Sequence, residues 1–466
     1  MPEYRGSDKI GENAKPFTLF DRKTAVTLRT PFDRRSTPFS MQDSTLSRRH
    51  FVKNTSLAGV ASFAVLPSLH SQNAPSQKLR VGVMGLKRGS AHITGFQAVP
   101  NVEIAYVCDV DKDRAAAGAK LANKGQKTPT KVTGDFREIL EDKSVDILSI
   151  AAPNFWQAPA TILACEAGKH VYVEKPGSHT PEEGELMVKA ARKYDRKVQL
   201  GTQRRSYESM ITGMRKLHEG AIGKILHART WYINSRVGIG KGKPAAVPDR
   251  LDYDLWQGPV PERPYKDNLV HYNWHWHWHY GGGEIINNGV HSLDLARWGM
   301  GVDYPTKVSY FGTRHYFDDD QETPDTGVAQ FDFGEVGASW DGSSCHRRPE
   351  ENISFCTFYG EGGTMAFDFS GYKVYDLKGR MISERAGTPG DVPHFQNMCD
   401  AIRKGTALTQ EIAEGQKSTL WCHLGNIAYR TKSVLDINPE TGRIKNNAEA
   451  MKLWKRDYRK GWKPKV

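Results

Sequence analysis

From Lys78 to Gly201 the apolar positions fall alternately into short unbroken runs and longer stretches at helical spacing. The runs Lys78–Gly85, Val102–Cys108, Val145–Ala152, His170–Val173 and Lys197–Gly201 are bounded by Gly, Pro or Asp, as buried strands are. Between them, Ser90 onward, Asp135–Leu140, Gln157–Gly168 and Pro181–Tyr194 carry helical periodicity. Regular alternation of strand and helix predicts a doubly wound parallel sheet of Rossmann type. Beyond it the pattern changes. Ile225–Ile233, Lys307–Tyr316, Val328–Ser339, Asn352–Gly360 and Thr364–Phe369 are longer and more alternating, which predicts a second α/β domain with a large open sheet, mostly antiparallel or mixed. His394–Lys404 and Glu414–Thr431 read as helices returning across the two domains. The expected division is 76–200 for the nucleotide domain, 201–440 for the substrate and oligomerisation domain, and 441–466 for a basic tail.

The strand ends carry the candidate chemistry. Val171–Pro176 reads VYVEKP and delivers Glu174 and Lys175 to a strand's C-terminal end, where open α/β sheets bind ligands. The first strand ends in GLKRG, Gly85 to Gly89, ahead of a helix. Glycines there let the backbone approach a pyrophosphate at a helix N-terminus. The loop is one residue short of the usual fingerprint, with Lys87 at the middle glycine position. Lys87 and Arg88 would meet phosphate charge or face water. Asp109 ends the second strand, and an acid there accepts hydrogen bonds from a ribose diol and favours NAD over NADP, which stays open.

The run AAPNFWQAPATILACEAGKHVYVEKP, Ala151 to Pro176, resembles the Gfo/Idh/MocA family, relatives of glucose–fructose oxidoreductase and inositol dehydrogenase. The resemblance covers roughly residues 78–440. It implies that Lys175 lies beside the nicotinamide and the substrate hydroxyl, and that the second domain's sheet mediates dimers or tetramers. Gly85, Lys87, Arg88, Gly89, Asp109, Pro153, Asn154, Glu174 and Lys175 are then the candidate cofactor residues. Gly281–Gly283 followed by Asn287 and His291 is similar to the family's second signature, glycines followed by Asp-x-x-x-His, whose histidine is the acid/base. Asn287 occupies the Asp position, and an amide orients a hydroxyl but cannot take a proton. Lys175, His291 and Asn287 are the candidate catalytic residues. Asn287, His291 and Asp294 share one face of an ideal helix.

The run His271–Tyr280, HYNWHWHWHY, puts His275, His277 and His279 on one side of an extended chain. Three imidazoles suggest zinc or copper, but the usual spacings are absent, so no metal is assigned. A tryptophan platform for a sugar and plain aromatic packing at the domain junction are the other readings. Arg204, Arg205, Trp276, His277 and His291 are the candidate substrate residues. For Arg204 and Arg205 the alternative is an interface salt bridge.

Charge refines the picture at the ends. Residues 1–53 hold 11 Lys/Arg against 6 Asp/Glu and residues 443–466 hold 9 against 2, which accounts for the whole formal excess of +12. The body is near neutral, which argues against a nucleic-acid partner. The tail reads as a solvated helix and arm. Residues 1–40 lack apolar periodicity and read as disordered or as a spurious upstream extension. Ser47–Lys53, SRRHFVK, precedes a weakly apolar stretch and resembles a twin-arginine export signal spanning 41–75. That implies a periplasmic or extracytoplasmic protein with no stable membrane insertion. Of six cysteines, Cys108 and Cys165 read as core thiols, and a Cys345–Cys356 pair stays open.

The expected function is NAD(P)-dependent oxidation of a sugar or polyol hydroxyl, by a homodimer or homotetramer. A compartment without free nicotinamide motivates an alternative, a glycosidase or lyase with tightly bound, recycled NAD. A non-catalytic sugar-binding protein is the third reading.

Overall fold

The computed structural model describes residues 78–466 apart from 315 and 348–353. The 1–40 extension and the twin-arginine segment therefore lie outside the described residues.

Six strands form the first sheet: β1 (Leu79–Met84), β2 (Val102–Cys108), β3 (Lys131–Thr133), β4 (Ile147–Ile150), β5 (His170–Glu174) and β6 (Val198–Gly201). Their order is β3-β2-β1-β4-β5-β6 and every pairing is parallel. This is the doubly wound arrangement the alternation predicts. Its helices are α1 (Gly89–Gln97), α2 (Lys112–Lys124), α3 (Arg137–Glu141), α4 (Asn154–Glu166) and α5 (Pro181–Lys193). The strand order reverses between β1 and β4, so the crevice beyond their C-terminal ends is the expected ligand position.

After α6 (Glu208–His218), β7 (Ile225–Ile233) enters a second sheet, and α7 (Tyr253–Gln257) and α8 (Val290–Met300) follow. The remaining strands are β8 (Lys307–Thr313), β9 (Thr326–Asp332), β10 (Gly337–Ser343), β11 (Cys356–Gly360), β12 (Gly363–Phe367), β13 (Tyr372–Asp376), β14 (Met381–Arg385) and, near the C-terminus, β15 (Leu435–Asp436). The order is β14-β13-β12-β11-β7-β10-β9-β8-β15, and only β7–β10 is parallel, which makes the sheet mixed. Val328–Ser339, read as one strand, is a hairpin instead. Gly334 adopts φ +87° between β9 and β10, where a side chain would be strained.

Helices α9 (Val392–Lys404), α10 (Ile412–Thr431) and α11 (Ala448–Lys452) complete the fold. Phe395, Met398 and Cys399 of α9 are buried in the same core as Val81, Ile93 and Phe96 of the first sheet and α1. Trp421, Leu424 and Ala428 of α10 pack against the second sheet.

The tail is not a solvated arm. Trp454 is buried, the Arg456 guanidinium and the Tyr458 hydroxyl both donate to the fully buried Glu183, and Trp462 packs edge-on to Trp156. Its aromatic residues supply the burial that its charge count conceals. All six cysteines are buried free thiols, Cys345 and Cys356 included. Among the described residues no helix is long and apolar enough to cross a membrane.

Candidate active site

A cavity of about 330 Å³ opens at the C-terminal ends of β1, β2, β4 and β5. Its walls include Gly85, Lys87, Arg88, Asp109, Pro153, Asn154, Glu174, Lys175, Asn287 and His291, so residues far apart in the chain meet here. Gly89 starts α1 directly behind Arg88.

The glycine turn is fixed from beneath. Gly85 has φ +85°, and a Cβ there would stand 2.7 Å from the Ala151 carbonyl oxygen at the end of β4. Only glycine permits that approach. The Gly85 N–H donates to the Cys108 carbonyl at 2.8 Å, and the Leu86 N–H to Asp109 Oδ2 at 2.7 Å. Among the described residues nothing takes the N–H groups of Lys87 or Arg88. Two free donors at a helix start suit a pyrophosphate. Asp109 thus holds the loop with one oxygen and accepts the Asp111 N–H with the other, at 3.0 Å. Burial pushes its carboxyl up, against these two hydrogen bonds. Each oxygen keeps a second lone pair for a ribose diol. The residues present therefore fit a dinucleotide.

Arg88 does not offer its charge to phosphate. Its Nε donates to Glu174 Oε1 and its Nη2 pairs with Asp391, both at 2.8 Å. Lys87 is exposed at the cavity wall, and Arg114 lies on the same wall.

Glu174 is nearly buried. Its Oε1 also meets His92 Nε2 at 3.1 Å and Gln203 Nε2 at 3.2 Å, and Oε2 accepts the Lys175 N–H at 3.2 Å. Burial alone would raise this carboxyl. The His92 hydrogen bond and the charge of Arg88 outweigh it and hold the group far below the carboxylate range. Glu174 is thus a fixed anion beneath Lys175.

Lys175 Nζ donates to the Asn287 backbone carbonyl at 2.5 Å and to Asn287 Oδ1 at 3.1 Å. Burial lowers the Lys175 pKa, partly offset by Glu174. Asn287 lies in a π-turn, Ile285–Gly289, that runs into α8. Asn287 and His291 line the cavity, whereas Asp294 does not and its carboxylate is taken by Arg205. That corrects the expected three-residue face. Burial, with Arg204 and Lys175 nearby, holds His291 well below the usual imidazole range, and its Nδ1 has no protein partner among the described residues.

Four expected substrate residues lie off this cavity. Arg205 forms a two-pronged pair with Asp294, Nε to Oδ2 and Nη2 to Oδ1 both at 2.8 Å, with both side chains buried. Arg204 packs over the Phe355 ring, 4.4 Å from its centroid. Trp276 is buried under Arg236, and His277 faces Glu322. The cause is local. Asn273–Trp276 is a 3₁₀ turn, so the histidines do not line up. His275 stacks on Trp274 and bonds the Tyr272 carbonyl, while His279 bonds the Pro261 carbonyl at 2.8 Å. Among the described residues no grouping of three His, Cys, Asp or Glu side chains could hold a metal ion. Gly283, with φ +70° against Thr323, makes the turn that returns the chain to the site.

Sequence reasoning missed His92, buried behind Glu174 and bonded to Ser149 at 2.8 Å. It also missed His271, which reaches Asp111 at 3.0 Å across the mouth of α2. His92 lies in no motif, and His271 opens the His/Trp run without being singled out in it.

Residues 79–202 match the oxidoreductase family with an NAD-binding Rossmann fold, and residues 225–464 match that family's C-terminal alpha/beta domain. A glycosyl hydrolase family 109 protein of Shewanella sp. (strain W3-18-1) is 28% identical over 214 residues, 41% of this chain and 46% of that one. One from Saccharopolyspora erythraea is 32% identical over 164 residues, covering 34% and 36%. The match thus spans less than half the length of these curated relatives. Among solved structures, the WlbA dehydrogenase from Bordetella pertussis, in complex with NADH and UDP-GlcNAcA, is 20% identical with a TM-score of 0.59, covering 78% of this chain and 99% of that one. A levoglucosan dehydrogenase, in complex with NADH and levoglucosan, is 19% identical with a TM-score of 0.62, covering 77% and 99%. At these identities the likeness is one of fold.

Proposed function

We propose that this chain, which belongs to the Gfo/Idh/MocA oxidoreductase family with its NAD-binding Rossmann fold, oxidises a hydroxyl of a sugar or polyol. The observation that carries this reading is the position of Lys175, at the end of β5 in one cavity with the glycine turn, Asp109 and His291. Carbohydrate ligands in the levoglucosan and UDP-GlcNAcA complexes of proteins with this fold support the substrate class.

NAD, when bound, supplies a hydride acceptor. Gly85, the Lys87 and Arg88 N–H groups and Asp109 would hold its adenosine end, with Pro153 and Asn154 on the cavity wall beside it. Lys175 gives two hydrogens to Asn287 and has one left for a substrate hydroxyl oxygen. Its charge lowers that hydroxyl's pKa, and Glu174 beneath fixes its direction. The imidazole of His291, neutral at physiological pH, takes the hydroxyl proton. Asn287 orients Lys175 and takes no proton itself.

The test is to denature purified protein, assay the supernatant for released dinucleotide, and then follow NADH absorbance across a sugar and polyol panel. NADH formed in step with a consumed sugar supports the reading. Absence of both bound and bindable dinucleotide sinks it.

The family 109 relatives favour a second reading, glycoside cleavage with NAD regenerated in each cycle. An aryl glycoside panel separates the two, because aglycone release without net NADH belongs to the second alone. Export of the chain is supported by the Arg48–Arg49 pair ahead of an apolar stretch, and recovery from a periplasmic fraction that is lost in an R48K/R49K chain tests it. Self-association through the second sheet is supported by Phe311 and Val328, opposite each other and exposed on β8 and β9.

A further inference from the structure

A second cavity, of about 320 Å³, lies on the far side of the Trp274–Gly281 segment and shares no lining residue with the first. Its walls come from the start of α5, the loop at 260–263, Trp278–Gly282, α10 and the docked tail. None of the chemistry above uses it.

Its charge is unusual for so small a space. Arg263, Arg430, Lys455 and Arg456 line it, against one lining carboxylate, Asp457. Two further carboxylates face these groups from behind. Glu183 is engaged by Arg456 and Tyr458 and accepts the His179 N–H, and Glu322 accepts the Trp278 N–H. Among the described residues Arg263, Arg430 and Lys455 form no ion pair. Arg430 instead lies 5.0 Å over the Trp278 ring.

The buried polar atoms add a second requirement. His179 Nε2 meets the carbonyls of Trp278 and Gly281 at 3.1 and 3.2 Å. Carbonyls only accept, so Nε2 carries the hydrogen and Nδ1 is a bare acceptor. That Nδ1 is buried and has no partner. Asn426 donates Nδ2 to the Gly282 carbonyl at 2.8 Å, and its Oδ1 is likewise buried and unpartnered. Thr180 Oγ1 and Arg456 Nη1 are in the same condition, although Thr180 and Asn426 are more than nine-tenths buried. His179 and His423 are both pushed down to about 3 by burial, so they stay neutral and add no charge to this space at pH 7. Unpaired cations call for an anion. Bare acceptors call for hydroxyl donors, and leaving them unmet is costly.

We propose that this cavity binds a hydroxylated organic anion the size of a sugar acid or sugar phosphate, separately from the nucleotide. Its volume is that of a small-ligand site. The anionic group sits against Arg263 and Arg430, and hydroxyls reach His179 Nδ1 and Asn426 Oδ1. The binding is independent of turnover in the first cavity, so it stands or falls apart from the proposed oxidation.

Isothermal titration calorimetry on the NAD-loaded full chain, with glucuronate, glucose 6-phosphate, glucose and inorganic phosphate, tests it. Either sugar anion should bind at least about tenfold more tightly than both glucose and phosphate. Which of the two does so identifies a carboxylate or a phosphate as the anionic group. An R263A/R430A double variant, changing two exposed side chains, should lose about tenfold or more, and K175M should not. Three results overturn the proposal. Neither sugar anion binds, inorganic phosphate binds as well as both, or binding survives in R263A/R430A and is lost in K175M.

Discussion

Lys175 Nζ holds both oxygens of Asn287, the backbone carbonyl at 2.5 Å and Oδ1 at 3.1 Å, and so ties the end of β5 to the π-turn ahead of α8. The position that would carry a carboxylate in the family's second signature thus still directs the lysine. K175M should lower kcat/KM by ~10²–10⁴ with dinucleotide binding retained, read by fluorescence titration. N287D sets a charge against the ammonium and raises its pKa. The alkaline limb of the kcat–pH profile should then move up by about one unit. An unmoved limb would mean that the titration of Lys175 does not govern it.

Arg205 and Asp294 make a structural prediction where the sequence suggested a substrate contact. Their pair is buried, and Gln410 and Ser418 also donate to Asp294 Oδ1, at 2.9 and 2.6 Å. R205A removes the guanidinium paired with that buried carboxylate and should cost ~3–5 kcal/mol in urea unfolding. The KM of the surviving enzyme should be unchanged, whereas a substrate-binding arginine would raise it.

The buried histidines set the acid side of stability. His394 is pushed down to about 4 and His423 to about 3, in both cases by burial. Their folded pKa lies below the unfolded ~6.5, so the unfolded chain takes up protons first as pH falls. Stability is full above pH ~6.5 and declines between there and the folded values, by about 2 kcal/mol per histidine at pH 5. The denaturation midpoint should fall between pH 7 and 5. H394N, which titrates nowhere in this range, should flatten that slope measurably.

Asp109 predicts cofactor choice. A carboxylate already engaged with the glycine turn repels a 2′-phosphate, so NAD should bind at least about tenfold better than NADP. D109S should narrow the ratio, and it should weaken NAD too, because the Leu86 N–H loses a charged acceptor. An unchanged ratio would remove Asp109 from the ribose site.

Much of the first sheet was legible because its strands are continuous apolar runs ending in Gly, Asp or Pro. Helix α2 was not, since its buried face is only Ala115, Gly118 and Ala122. The site's strand ends, Gly85, Asp109, Glu174 and Lys175, were visible as motif positions. The reach of the α8 face was misjudged, because residue spacing does not tell that Arg205, Gln410 and Ser418 occupy Asp294. Arg204 and Arg205 look alike in the sequence, and only tertiary packing gives one an aromatic ring and the other a carboxylate. The His/Trp run satisfied a strand pattern but folded as turns, each histidine taking a nearby carbonyl or acid.

Helix α9 carries a consequence for how the protein is made. Phe395 lies 4.3 Å from Phe96, and a Cβ on Gly95 would run into the Phe395 ring. The outer side of α1 is therefore sealed by a segment some three hundred residues further along the chain. While the ribosome is still adding the second sheet, α1 has an uncovered apolar side, and Arg88 lacks Asp391. A nucleotide captured at that stage would meet a half-built pocket. The cofactor-binding half, although translated first, is finished only after most of the catalytic half has been made.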